Sequence, residues 1–308
     1  MSISENQTLP GFAGSVALLG TGPMGAPIAR NILAGGVPLT LWNRTPEKAH
    51  AVGGGTVAAA PAGAASDVVL TVLPDLPQVA ALLPGENGLL AGWKSAGIDH
   101  PILVIHGTVS PVAVAEFAED CRRRWGLTVL DAPLSGGTIG AEERRLSIMV
   151  GGPSNAVEHV RPLFELYGST VVWFGETGAG STVKACNQIV VAATVTALAE
   201  AMALASTAGL DLEKVQSVLA GGLAKSEVLT QKGRRWMDQD FEGGGSAKNQ
   251  LKDLRFITDL ARHTGLKLPV ATCLQSAFED MIAAGDGDLD HTGIYRTILE
   301  QSTKPAPR

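Results

Sequence analysis

The chain has 308 residues, long for a single core, so two domains are expected. Its formal charge of −6 argues against nucleic acid or an acidic membrane surface as a general partner. Aromatic residues make up only 5%, while 37 glycines interrupt the apolar runs, which suggests α/β architecture. Cys121, Cys186 and Cys273 are odd in number, far apart and without a Cys-x-x-Cys spacing, which fits reduced thiols in a cytoplasmic protein.

Residues 1–14 are polar and carry no basic side chain, so they read as a flexible tail rather than a signal or transit peptide. An apolar strand, 15–20, then runs into Gly20-Thr21-Gly22-Pro23-Met24-Gly25, followed by a helical pattern and a second strand, 38–42. This is the strand–turn–helix–strand arrangement of a dinucleotide site. Gly20 permits the tight turn, Gly22 lets the pyrophosphate approach the backbone, and Gly25 lets the helix pack closely on the sheet. The helix N-terminus offers free N–H groups to the phosphates. An NAD-selective site places Asp or Glu roughly 20 residues past the glycines. Here the second strand ends in Asn43, Arg44 and Thr45 with no carboxylate, and a guanidinium can pair with a 2′-phosphate, so NADP(H) is favoured over NAD(H).

Further strands are expected at 67–73, 102–106, 127–131, 147–151 and 170–174, with helices between most of them, including 111–125 and 155–167. Strands separated by helices imply a mostly parallel sheet. After Gly178 no convincing strand appears. A long helix, 181–209, is apolar nearly all round and is expected to be buried on most faces. Its apolar stretch 189–205 contains Thr194, Thr196 and Glu200, so a core helix is expected rather than a membrane span. Helices at 212–220, 248–264 and 269–284 follow, with Gly209, Gly265 and Gly285 where C-caps belong. The organisation expected is a tail (1–14), a Rossmann-type NADP-binding domain (15–175) and an all-helical domain (176–308).

Two constellations carry candidate chemistry. Ser135-Gly136-Gly137 follows a strand ending at Asp131 and precedes a helical stretch, so its successive N–H groups and hydroxyl can form a nest for a carboxylate; a plain strand–loop–helix turn is the alternative. The flanking residues are not Gly-x-Ser-x-Gly, which argues against a nucleophilic serine. Lys184 stands near the start of the long helix, with Asn187 and Gln188 at i+3 and i+4 on its face. Burial disfavours the charged form of a lysine, and that suits proton transfer near neutral pH; the alternative is a lysine reaching solvent from the first turn. Phe241, Lys252 and Asp253, taken alone, read as a solvated helix face whose two adjacent charged residues do not meet. The six histidines show no metal-ligand spacing and no metal is expected. His106 ends a strand and is expected to be packed or solvated rather than to reach a cofactor.

Taken in order, seven segments resemble the β-hydroxyacid dehydrogenase family, which includes 3-hydroxyisobutyrate dehydrogenase and semialdehyde reductases. They are Gly20 to Gly25 with Asn31; Leu73-Pro74; Thr108 to Pro111; Asp131 to Gly137; Met149 to Gly152; Lys184, Asn187 and Gln188; and Lys252-Asp253-Leu254. The resemblance runs from about Ser15 to Leu299. It implies a Rossmann domain and a helical domain joined by a long helix, with the active site in the cleft between them. It further implies that Ser135, Gly136 and Gly137 hold the substrate carboxylate and that Lys184 is the general acid/base, assisted by Asn187 or Gln188. Leu73, Pro74 and Thr108 would lie near the nicotinamide, Lys252 would reach cofactor or substrate, and a homodimer or homotetramer is implied. The chain departs from the family pattern at Thr21, where Leu is common, at Ile105 and Gly107, where Asp and Ser are common, and at Arg144-Arg145, where Gly-Thr is usual. The activity expected is hydride transfer between NADP(H) and a small 3-hydroxy acid or its semialdehyde. Imine or ketone reduction is the alternative, since the glycine motif and Trp42-Asn43-Arg44-Thr45-Pro46 also resemble imine reductases, which lack the lysine. A non-catalytic NADP-binding module is the other.

Overall fold

A computed structural model of the protein describes residues 9–303. The chain divides into two compact units, one ending at Lys184 and one beginning at Ala185. The first opens with β1 (Val16–Leu19), α1 (Gly25–Ala34), β2 (Leu39–Trp42), α2 (Pro46–His50) and β3 (Thr56–Val57). It continues through β4 (Val68–Thr71), α3 (Leu76–Ala80), α4 (Leu89–Ala96), β5 (Ile102–Ile105), α5 (Pro111–Trp125) and β6 (Thr128–Asp131). These six strands form one parallel sheet in the order β3-β2-β1-β4-β5-β6. That is the order of a doubly wound dinucleotide-binding sheet, in which ligands bind at the carboxyl ends of the strands where the order reverses, between β1 and β4.

The apolar strand runs follow from burial on both faces. Successive side chains point to opposite sides, so Val16, Leu18 and Leu70 pack with Ile28 and Ile32 of α1, while Ala17, Leu19 and Val69 pack with Val79, Leu89 and Trp93. The remaining strands do not extend this sheet. β7 (Leu134–Ser135), β8 (Leu146–Val150) and β9 (Gly168–Trp173) form a second sheet in that order, with β7 antiparallel to β8 and α6 (Gly137–Glu142) and α7 (Ser154–Phe164) between them. An antiparallel bridge between Asp131 and Gly151 links the second sheet to the end of β6. Of the expected tail, residues 1–8 lie outside the described residues. Leu9 and Phe12 are not free of the fold: both pack on the core, and the Phe12 ring lies 5.2 Å from that of His159.

The 29-residue α8 (Ala179–Thr207) runs through the boundary between the units. The change of character expected at 175 falls in the turn before this helix, whereas the contact boundary lies within it. The second unit then holds α9 (Leu212–Gly221), α10 (Glu227–Asp238), α11 (Ala247–Thr264), α12 (Pro269–Ala283) and α13 (Ile294–Thr303). Its core gathers Val195, Leu198 and Met202 of α8 around Trp236, Phe278 and Tyr295. No strand occurs in this unit among the described residues. Gly265 at φ +71° ends α11 in the left-handed conformation that glycine adopts without strain.

One expectation about α8 is corrected. Its most apolar 18 residues have a mean hydropathy of 1.9, enough by length and composition to cross a membrane, yet only 39% of them are buried. Ala192, Val195, Ala199 and Met202 form the buried face, while Val190 and Leu204 on other faces are 65% and 73% exposed. An all-round apolar helix is therefore covered on one side only.

Candidate active site

The three glycines of the first turn have separate structural reasons. Gly20 sits at φ +100°, and a Cβ there would lie 2.5 Å from the Val72 carbonyl oxygen and 2.9 Å from the Leu73 side chain. At Gly25 a Cβ would meet the Gly20 carbonyl oxygen at 1.8 Å, so α1 could not begin so close to β1 with any other residue. At Gly22 a Cβ would meet nothing within 4 Å. The space beside it is open, as a pyrophosphate approaching the backbone requires. No side chain caps α1 at Met24, and its first turn has no acid, so its N–H groups remain suited to an anion.

Asn43 locks this loop to the end of β2. Its Oδ1 accepts from Thr21 N at 3.0 Å and its Nδ2 donates to Thr45 O at 3.0 Å. The side chain of Arg44 next to it is exposed and makes no hydrogen bond or ion pair with the described residues. Leu73 and Pro74 follow β4, and the Gly107 backbone packs so tightly on them that a Cβ would lie 2.1 Å from Leu73 O. The fold thus places Gly20, Leu73 and the Gly107–Thr108 turn along the carboxyl edge of the sheet.

A second group of residues centres on Asp131, at the end of β6. Its side chain is fully buried. Oδ1 accepts from Gly178 N at 2.8 Å and Oδ2 from Ser181 N at 2.6 Å, so the carboxylate caps the start of α8. Burial pushes this carboxyl above its usual value, and the bonds from Gly178 and Ser181 pull it back only in part. One turn further along, Lys184 is 8% exposed, and its Nζ donates to Leu134 O at 2.8 Å. Leu134 immediately precedes Ser135. The same short segment therefore supplies the cap of the lysine helix, the carbonyl that holds the ammonium, and the Ser135-Gly136-Gly137 turn. Gly136 and Gly137 both lie at positive φ, +128° and +64°, and both are exposed. The sequence singled out Lys184 and the Ser-Gly-Gly turn; it gave no hint of the role of Asp131, whose partners lie 47 and 50 residues away.

Within the second unit, Asn187 Nδ2 donates to Gln188 Oε1 at 3.0 Å, and Gln188 Nε2 donates to Asp253 Oδ2 at 2.6 Å. Lys252 Nζ lies 3.5 Å from Asp253 Oδ1 and 5.4 Å from the Phe256 ring centroid. The expectation that these helix neighbours do not meet is thereby corrected, since the long lysine side chain brings its charge within ion-pair distance of the adjacent carboxylate. Phe241 is buried against Tyr295 and not on a solvated face. His106 is fully packed. Its Nδ1 lies 2.7 Å from Ala132 O and its Nε2 3.0 Å from the Tyr167 hydroxyl. A carbonyl accepts only, so Nδ1 carries the proton and Nε2 accepts from Tyr167. Burial lowers the pKa of this ring to about 4, keeping it neutral at pH 7. Among the described residues no group of three His, Cys, Asp or Glu side chains could hold a metal ion.

Arg144 and Arg145 part company. Arg145 pairs with Glu143 at the surface. Arg144 stands at φ +58° and its Nε donates at 3.1 Å to Oδ1 of Asn31, on α1.

Residues 15–175 match the family described as the NAD binding domain of 6-phosphogluconate dehydrogenase, and residues 178–298 that described as NAD-binding of NADP-dependent 3-hydroxyisobutyrate dehydrogenase. The chain belongs to the β-hydroxyacid dehydrogenase family. It is 36% identical over 286 residues to 2-hydroxy-3-oxopropionate reductase of Escherichia coli, covering 92% of this chain and 96% of that one. It is 30% identical to 2-(hydroxymethyl)glutarate dehydrogenase of Eubacterium barkeri, covering 94% and 95%. The crystal structure of 3-hydroxyisobutyrate dehydrogenase from Salmonella typhimurium superposes with a TM-score of 0.83 at 26% identity, covering 92% of this chain and 99% of that one. Family membership makes the protein an oxidoreductase whose first domain binds a nicotinamide dinucleotide.

Proposed function

We propose that the protein transfers a hydride reversibly between NADP(H) and a small 3-hydroxy acid or its semialdehyde, with Lys184 as general acid/base. The observation that carries this reading is the buried Lys184 ammonium bonded to Leu134 O, one residue from the Ser-Gly-Gly turn. The substrates named for the three relatives above each join a carboxylate to a hydroxyl or aldehyde on the β carbon.

Residues 20–25 and 43–45 would hold the dinucleotide, with Leu73, Pro74 and Thr108 nearer the nicotinamide, whose C4 carries the hydride. Ser135, Gly136 and Gly137 would bind the carboxylate and fix the reacting carbon in place. In oxidation the neutral amine of Lys184 accepts the hydroxyl proton as the C–H bond breaks. In reduction its ammonium returns a proton to the developing alkoxide. The bond to Leu134 O fixes the place of the amine. Asn187 and Gln188, on the same helix face, would orient the lysine and substrate oxygen without adding charge. Coupled assays with short 3-hydroxy acids and semialdehydes test this. Turnover of cyclic imines with none of these acids or aldehydes would overturn it.

Arg44 carries the cofactor preference. Its guanidinium is exposed and makes no ion pair among the described residues, which suits it to a 2′-phosphate. Arg44→Ala is expected to raise the KM for NADPH about tenfold or more, the size of one lost charge-assisted contact, and to leave the KM for NADH nearly unchanged. Equal effects on both cofactors would remove the 2′-phosphate role.

The open face of α8 supports a homodimer or homotetramer. Val190 and Leu204 lie on it, and Leu210, Val218 and Leu223 add exposed apolar surface in the same unit. Light scattering is expected to give the mass of two or four chains, and Leu204→Glu to reduce it. A wild-type monomer at micromolar concentration would contradict this. The three cysteines are unpaired, which suits a reducing cytoplasm.

A further inference from the structure

We infer that Asn31 is a positioning residue for the substrate turn, and that Arg144 sets the orientation in which it acts. The inference rests on the proposed role of Ser135–Gly137 as the carboxylate site. Asn31 projects from α1, the helix that follows the dinucleotide-binding glycines, and is 7% exposed. Its Nδ2 donates to Ala141 O at 2.7 Å across 110 residues, and its Oδ1 accepts from Arg144 Nε at 3.1 Å. A guanidinium has donors only, so the amide oxygen must face Arg144 and the amide nitrogen must face the Ala141 carbonyl. Each bond fixes the direction of the other.

Ala141 belongs to α6, which starts at the Ser-Gly-Gly turn. Gly140 N donates to Gly136 O at 3.0 Å and Arg145 N to Gly140 O at 2.8 Å, so a pull on Ala141 is felt at Gly136 within one helical turn. Gly136 and Gly137 are both at positive φ and carry no side chains that could anchor them. Arg144 holds its left-handed φ although it has a Cβ. Among the described non-glycine residues only Gln239 shares this, at the C-terminal cap of α10. Arg144 likewise follows the C-cap of α6, where Arg145 N closes back on Gly140 O, and from this left-handed position its side chain reaches Asn31. The guanidinium is thus engaged with α1, and its role is to shape the site.

Two variants test this. Arg144→Gly removes the guanidinium but suits the left-handed backbone, so thermal stability should stay close to wild type. Its KM for the carboxylate substrate is expected to rise about fivefold, the effect of one weakened hydrogen bond, with the KM for NADPH within about twofold of wild type. Asn31→Leu, which loses both bonds, is expected to raise the carboxylate KM by about tenfold or more. Turnover of an aldehyde lacking the carboxylate should be unaffected in both. Independently of turnover, amide hydrogen exchange across residues 136–145 in the cofactor-free protein should be roughly tenfold faster in each variant. An unchanged carboxylate KM in both variants, or unchanged exchange in that segment, would overturn the inference. If the wild-type enzyme turned over no 3-hydroxy acid or semialdehyde, the proposed function would fail, and the exchange measurement would still decide whether the strut orders the turn.

Discussion

Lys184→Ala is expected to lower kcat by about three orders of magnitude, within the range that a positioned general acid/base contributes. The substitution removes the group that exchanges the substrate proton, and it also strips Leu134 O of its donor in a buried place. An unsatisfied buried carbonyl costs about 1–3 kcal/mol, so a modest loss of stability should accompany the loss of rate. Titration with NADPH separates the two effects. The glycine turn is built from residues 20–25 and does not involve Lys184, so cofactor affinity should remain within about twofold of wild type while turnover collapses. Near-normal turnover in this variant would sink the mechanism. Lys184→Arg should not rescue it, because a guanidinium does not give up its proton in this pH range.

Asp131→Ala is expected to be the most destabilising single change outside the apolar core, by about 3–6 kcal/mol, since two buried bonds from backbone N–H groups to a charged acceptor are each worth about 1.5–3 kcal/mol. The gain from this carboxylate comes from satisfying Gly178 and Ser181 N at the start of α8, and not from a favourable place for its charge, because burial raises its pKa. Asp131→Asn keeps one acceptor oxygen and should cost less than the alanine variant. Urea unfolding measures the stability loss, and kcat of the folded fraction measures the second consequence. Lys184 lies one turn beyond the capped N–H groups, so fraying of that turn misplaces the ammonium. Stability within about 1 kcal/mol of wild type in the alanine variant would show that the cap is replaced by other acceptors or water.

The features legible from the sequence were those whose partners lie close in the chain or whose chemistry is carried by residue type. The glycine turn and the alternation of strands and helices, with a helical second half, are of this kind. So is the lysine placed early on an apolar helix. Strand periodicity, however, says nothing about which strand pairs with which. Residues 147–151 and 170–174 were recognisable as strands, but not as a separate sheet with β7 at its edge. Thr56–Val57 is too short for any periodic signal. α10 has only a weak sequence signal because its apolar residues are few and Gly233 interrupts it, although Ser226 accepts from Leu229 N as an N-cap and Trp236 anchors the helix in the core. The two devices that shape the candidate site, Asp131 over α8 and Asn31 with Arg144, join residues 47 to 113 positions apart. No local pattern marks them.

The cap of α8 also bears on how such chains can be recombined. The two family matches meet between residues 175 and 178, which looks like a natural joint for exchanging modules between relatives. A hybrid cut there would take the lysine and its whole helix from one parent and Asp131, together with Leu134, from the other. The proton-transfer group would then depend on a carboxylate and a carbonyl inherited separately from it. Swaps at this joint should preserve activity only when both parents supply an acid at the end of β6, or when the crossover is moved upstream of Asp131 so that cap, carbonyl and lysine travel together.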